Sequence, residues 1–290
     1  MKKPCQIYIH RFSKQVLDIK MSTWRLLETE VRNASANMAV DEAILYSRIE
    51  ESVPNTLRLF RWSPSAVSIG RFQDMWSVVN VERCITEGVD VVRRITGGGA
   101  VYHDSEDEIT YSLIISRKDL ETEDVVEAYR CICNGLIETA RLLGVKAEYD
   151  KGSINRCPNI TVEDRKISGS AQANRKGVIL QHGTFLRNVN LRKMFAFLKF
   201  PWKNESTNLI EAASKRITSL SDELGRSVSV SQMERAFYEG FEKAFHVRFV
   251  KAMLTEYELK LARRLEEGKF SRDEWNCEGK SKFLIAKPIR

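Results

Sequence analysis

From Met21 the stretch MSTWRLLETE sets Trp24 and Leu26 among polar neighbours, which predicts a first strand with one buried face. Asn37 is a candidate helix cap, and Met38, Asp41, Glu42, Ala43, Leu45 and Tyr46 follow at helical spacing to about Ile49. Two short apolar runs, Thr56 to Trp62 and Ala66 to Phe72, flank Ser63-Pro64-Ser65 and predict a hairpin. A short helix over Val81 to Glu87 leads into a β-rich run from Gly88 to Ile95, and a second such run covers Ile109 to Ser116. Helical periodicity from Val125 to Leu143 stops at Gly144, a C-terminal signal.

After a polar stretch, Ile160 to Ile167 and Val178 to Leu186 read as strands. Helices are expected over Leu191 to Leu198, Ser221 to Leu224, Ser231 to Phe245 and Tyr257 to Glu267. The third carries Met233, Phe237 and Phe241 on one side. Trp202 to Lys215 reads as a loop, and Cys277 to Arg290 as a terminal strand or docking tail. Irregular alternation of this kind predicts an α+β chain with a mixed central sheet flanked by helices, not regular βαβ winding. Residues 1–20 read as an extension, 21–250 as the main domain and 251–290 as a C-terminal helical tail.

Composition excludes several classes. The chain has 290 residues, 43% hydrophobic and 29% charged, enough for a substantial core. No run of eighteen apolar residues and no charged start followed by an apolar segment occurs, so neither a spanning helix nor a secretory signal is expected, and the cytoplasm is the expected location. Six cysteines lack CxxC spacing, and Cys131 and Cys133 diverge on their helix, which argues against a shared metal. Net charge is +7, yet no basic stripe interleaved with aromatics suggests nucleic acid. The excess charge suits an acidic protein or a phosphate.

The chemistry concentrates in two segments. VVRRITGGGAVYHDSEDEITYS, from Val91, places Gly97, Gly98 and Gly99 between β-rich runs and behind Arg93 and Arg94. Glycines there can take positive φ and turn amides toward an anion, with an arginine fork beside them. No GK[ST] or GxGxxG pattern accompanies the loop, so it is neither a Walker loop nor a dinucleotide fingerprint. EDRKISGSAQANRKGVILQHGTFL, from Glu163, adds a lysine, small residues and a histidine.

These segments resemble the lipoate-protein ligases of the biotin and lipoate ligase superfamily. The match runs through Arg93, Arg94, Thr96, Gly97 to Gly99, Ala100, Val101, Tyr102, His103 and Asp104, then Lys166, Ile167, Ser168, Gly169, Ser170 and Ala171, then His182-Gly183-Thr184. NMAVDEAIL, SIGRFQD and RITSLSDEL add weaker likenesses, and LARRLEEGKFSRDEWN resembles the close of archaeal-type catalytic domains. The resemblance implies the biotin/lipoate ligase, class II synthetase-like fold for residues 21–250. It implies ATP-dependent activation of lipoate to lipoyl-AMP, with Mg2+ expected. Transfer would follow to a lysine of a lipoyl domain of a 2-oxoacid dehydrogenase E2 or of the glycine-cleavage H protein.

By the same resemblance Lys166 is the catalytic cation beside the acyl carbonyl. Arg94, Thr96, Gly97, Gly98, Gly99, Ala100, Val101, Tyr102, His103, Asn159, Ser168, Gly169 and His182 bind substrate or adenylate. Arg93, facing the other side of its strand, is read as a structural ion pair, and Ile69, Val101 and Val178 as slot-lining residues. Metal ligands stay unassigned, because the ligases' GRND-like segment is RCPNI here, Arg156 to Ile160. A small separate accessory protein is also expected, as in split archaeal-type ligases. The rival reading comes from the sister octanoyltransferases, which use no ATP: Cys157 would take an octanoyl group from acyl carrier protein and Lys166 would assist its transfer.

Overall fold

A computed structural model describes residues 21–120, 122–153, 157–199, 209–281 and 283. Its strands in chain order are β1 (Thr23–Arg32), β2 (Thr56–Trp62), β3 (Ala66–Ile69), β4 (Asp90–Arg93), β5 (Val101–His103), β6 (Glu108–Ser116), β7 (Glu148–Asp150), β8 (Asn159–Val162), β9 (Arg165–Arg175), β10 (Val178–Leu186) and β11 (Arg248–Ala252). Eight of them form a sheet in the order β11-β1-β2-β6-β10-β9-β8-β7, and a small sheet has the order β4-β3-β5. β1 runs parallel to both β11 and β2, while β2, β6, β10, β9, β8 and β7 pair antiparallel in turn. The large sheet is therefore mixed, and with its flanking helices it is the α+β architecture the pattern predicted.

The two faces of the large sheet are read off the period of two along its strands. Ile109, Tyr111, Leu113 and Ile115 of β6, with Ile179 and Phe185 of β10, pack under the helices Val125–Leu142 and Val230–Phe245 in one core cluster. Both helices begin on a side-chain cap, Asp124 accepting from the Glu127 N–H and Ser229 closing a capping box with Gln232. Met233, Phe237 and Phe241 supply the buried stripe of the second helix.

The opposite face changes character along its length. Ile114, Val178 and Leu180 meet the helix Ala34–Ile49 in a second cluster, which also takes in Leu261, Leu265, Phe270 and Trp275 from the C-terminal helical segment. Two residues further along β10 the same face carries His182 and Thr184, and along β6 it carries Ser112 and Thr110. Polar residues begin where the helix cover ends. The small sheet and its cluster of Val67, Ile69, Tyr102 and Phe197 stand beside that uncovered area.

Several local expectations need correction. β2 and β3 do not form a hairpin: β2 pairs with β1 and β6, whereas β3 joins β4 in parallel and β5 antiparallel. All four residues of β3 are buried, as befits the central strand of its own sheet. The first long helix starts at Ala34 with Asn33 as cap, and Asn37 lies inside it, its amide donating to Arg32 and Arg61 carbonyls. Leu209–Ser214 is helical where a loop was expected, and 202–208 of that loop lie outside the described residues. Among the described residues Arg93 has no ion pair; its guanidinium donates to the Gln73, Trp275, Asn276 and Cys277 carbonyls, clamping the C-terminal segment to β4. The expected extension at 1–20 and most of the tail after Cys277 fall outside the described residues.

Candidate active site

A cleft of about 790 Å3 opens where the uncovered face of the large sheet meets the small sheet. Its floor is a row across four strands: Thr110 pairs with Thr184, Thr184 with Gly169 and Gly169 with Asn159, and all four line the cleft. The next row on the same face contributes His182 and Ala171, which are paired in register.

Lys166 reaches this face through an irregularity. Strand alternation would set Lys166 on the side of Ser168 and Ser170. However, β9 pairs Ser168 with Ile160 and Lys166 with Thr161, so Ile167 is an extra, bulged residue. Ile167 enters the core cluster, and Lys166 joins Gly169 and Ala171 along the cleft. A Cβ on Gly169 would lie 2.5 Å from Lys166 Nζ and 3.6 Å from Asn159 Oδ1, so the bare backbone there is what lets the lysine lie across the strand. Asn159 in turn donates to the Cys157 carbonyl at 3.0 Å, fixing the residue just ahead of β8.

The glycine loop faces that pair. Of its three glycines only Gly98 has a positive φ, +89°. A Cβ there would stand 3.1 Å from Arg94 Nη2 and 3.6 Å from Cys157 Sγ, so thiol and guanidinium both close on this bend. Arg94 holds the loop by donating to the Gly97 and Gly99 carbonyls at 2.8 and 2.7 Å and to Ser68. Burial pulls its guanidinium down to about 10, with negative charge on Cys157 acting in the opposite direction.

Two buried histidines line the inner part. His182 binds Asp41 through Nδ1 at 2.9 Å and Thr96 through Nε2 at 2.8 Å, and Asp41 accepts from Arg58 at 2.7 Å. Burial lowers His182 despite Asp41, and the neutral ring then donates from Nδ1 and accepts from the threonine. Burial alone would raise Asp41, but Arg58 and His182 outweigh it and hold the carboxyl below its ordinary range. His103 bonds Glu108 through Nδ1 at 2.6 Å and Ser68 through Nε2 at 2.7 Å, stacked 4.1 Å from the Trp62 ring.

The structure thus brings Arg94, Gly98, Gly99, Ala100, Val101, His103, Cys157, Asn159, Lys166, Gly169 and His182 to one cleft. Thr96 stands behind His182, Ser168 is buried beneath the floor, and Tyr102 stacks on Phe197 in the third cluster. Gly97, Ile69 and Val178 are not among the lining residues, and Arg156 is outside the described ones. Reasoning from the sequence missed Asp41, Ser68, Trp62, Glu108, Thr110 and Thr184. The NMAVDEAIL and SIGRFQD likenesses hinted at the first two, and the His182-Gly183-Thr184 match at the last. Among the described residues Asp164 is the one carboxylate lining the cleft, and no group of three or more His, Cys, Asp or Glu side chains is placed to hold a metal ion.

A mixed sheet carrying a glycine bend and a bulge-borne lysine on one cleft is the fold that the resemblance to the lipoate-protein ligases implied. The chain belongs to the lipoyl protein ligase A/B catalytic domain family, whose model matches residues 33–242. It is 36% identical over 275 residues to octanoyltransferase LipM of Brevibacillus brevis, covering 88% of this chain and 99% of that one. Among solved structures it is similar to the bipartite lipoate protein ligase of Thermoplasma acidophilum, at a TM-score of 0.77 and 28% identity over 91% of this chain and 100% of that one. It is also similar to a lipoate-protein ligase A bound with ATP, at 0.75 and 30% over 89% and 99%.

These findings correct the main functional expectation. Curated relatives that match over nearly their whole length bear the name octanoyltransferase LipM, in several bacteria. The ATP-dependent ligase reading, with its lipoyl-adenylate, is overturned for this chain by these relatives. ATP belongs to the similar ligase structure. No helix of the described residues is long and apolar enough to cross a membrane.

Proposed function

We propose that this chain is an octanoyltransferase of lipoate assembly, with Cys157 as nucleophile. Cys157 sulfur attacks the thioester carbonyl of octanoyl acyl carrier protein, the carrier thiol leaves with the proton, and an octanoyl-cysteine thioester remains. The ε-amine of a lysine on a lipoyl domain or H protein then attacks that carbonyl, an amide forms, and the Cys157 thiol is regenerated.

The observation that carries this reading is the shared cleft of Cys157 and Lys166, with the thiol against the Gly98 bend and the ammonium across Gly169. Charge developing on the acyl oxygen during both steps lies beside Lys166, a fixed cation acting at short range, while Arg94 holds the glycine bend in place behind the thiol. The acceptors are E2 lipoyl domains or the H protein, and the net charge of +7 steers acidic partners toward the surface. The accessory protein expected with the ligase reading is not carried forward with this one.

The test is transfer of octanoate from octanoyl acyl carrier protein to a purified lipoyl domain and to H protein, with and without ATP. The proposal expects equal rates in both conditions and no product with Cys157→Ala. A strict need for ATP, or full activity in Cys157→Ala, contradicts it.

A further inference from the structure

The cleft is polarised end to end. Lys166, Lys215 and Arg216 stand at the outer end, whereas the inner end is closed by Met38 and Trp62, 4% and 1% exposed. Of all residues in the second core cluster, only these two reach the cleft.

Polar groups at that inner end are consumed internally. Trp62 Nε1 donates to Thr110 Oγ1 at 2.8 Å, and the Thr110 hydroxyl donates to Glu108 at 2.9 Å. Both ring nitrogens of His103 are bonded to Ser68 and Glu108. Among these residues only Glu108 Oε2 lacks a partner, it is an acceptor, and Glu108 does not line the cleft, so an alkyl chain enters without stranding a donor.

We propose that Met38 and Trp62 form the end wall of the acyl slot and set the length of chain that Cys157 accepts. The inference rests on the transferase reading and adds its length selection. The slot runs across the floor from Gly169 on β9, past β10 and β6, to Trp62 at the end of β2, three strand spacings or about 14 Å between backbones. Bonds of about 1.5 Å at about 111° advance an extended chain by about 1.25 Å each, so an eight-carbon acyl group spans about 9 Å from carbonyl to methyl and leaves about 5 Å of that span for contacts at its two ends together. A twelve-carbon chain spans about 14 Å and would drive its methyl into the wall. Trp62, stacked on His103 and bonded to Thr110, is the fixed part of that wall. Met38, an unbranched thioether on the helix Ala34–Ile49, is the part a substitution can resize.

Two readouts test this. Calorimetry with free hexanoic, octanoic, decanoic and dodecanoic acids measures slot length without chemistry. Loading of Cys157 from the corresponding acyl-pantetheine thioesters, followed by intact-protein mass, measures the same preference in reaction. The parent should prefer octanoyl, losing about fourfold for each methylene removed, and should reject dodecanoyl. Met38→Ala should lengthen the optimum by about two methylenes, and Met38→Phe should shorten it, each variant being checked by thermal denaturation. A parent that takes dodecanoyl as readily as octanoyl overturns the proposal whatever the variants do. So do two folded variants that keep the parent's length profile. Length-selective binding of the free acids without any loading of Cys157 would leave the wall standing and sink the transferase reading instead.

Discussion

On the inner wall of the cleft, both ring nitrogens of His103 and of His182 and both terminal nitrogens of Arg94 are hydrogen-bonded within the protein. On the facing wall, Lys166 rides on a β-bulge and Cys157 precedes a strand only four residues long. The first wall is built from groups that are already committed. The second holds the groups proposed to react. The difference teaches that hydrogen-bonding polar residues in an acyl site need not touch substrate: a fully engaged polar wall is a stiff, chemically quiet surface against which a small reactive set is held.

If that division is right, damage to the two walls should show in different measurements. The largest effect is on the reactive side, where Cys157→Ala should abolish transfer while leaving thermal stability near that of the parent; an assay of turnover beside a melting curve checks it. Asp41→Asn is the counterpart on the quiet side. It leaves buried Arg58 without its carboxylate, so chemical denaturation should register a loss of about 3–5 kcal/mol.

Lys166→Met should lower turnover by about 10^2- to 10^3-fold, the cost of one fixed oxyanion partner, with little change in unfolding. Smaller still, Gly169→Ala should slow transfer through displacement of the lysine, since the new methyl would lie 2.5 Å from Nζ. If Gly169→Ala instead destabilises the fold and leaves turnover intact, the bulge is structural and the comparison fails.

Acid should act on the quiet wall first. His182 and Asp41 both have depressed values in the folded state, so the unfolded chain binds more protons and stability falls with falling pH. The His182 contribution is complete above its ordinary value of 6.5 and is lost as pH drops below it. That of Asp41 is lost only below 3.8. Melting temperature followed from pH 8 to 5 should decline in the parent and decline less in His182→Gln.

The sequence carried the reactive side better than the quiet one. Gly98 lies in a run of three glycines that local reading finds, whereas Lys166 and Cys157 were marked by the resemblances to the ligases and to the octanoyltransferases. Asp41 lies 141 residues from His182 in a helix of ordinary amphipathic spacing, and no local pattern marks a carboxylate whose partner is chosen by the fold. The parity of Lys166 was hidden for a related reason: alternation sets it with Ser168, and only the pairing offset at Ile167 turns it over. β2 and β3 misled because two apolar runs around a turn fix strand type but not strand partner. The choice of ligase over transferase failed on chemistry, since a glycine bend and a lysine beside an acyl carbonyl serve an adenylate and a thioester alike.

Peptide-mapping mass spectrometry of the chain after exposure to octanoyl acyl carrier protein, with ATP removed enzymatically, tests the central claim most directly. The account predicts one octanoyl group, carried on Cys157, which disappears when a lipoyl domain or H protein is added. An unmodified Cys157 alongside active transfer, or acylation that appears only with ATP, would contradict it.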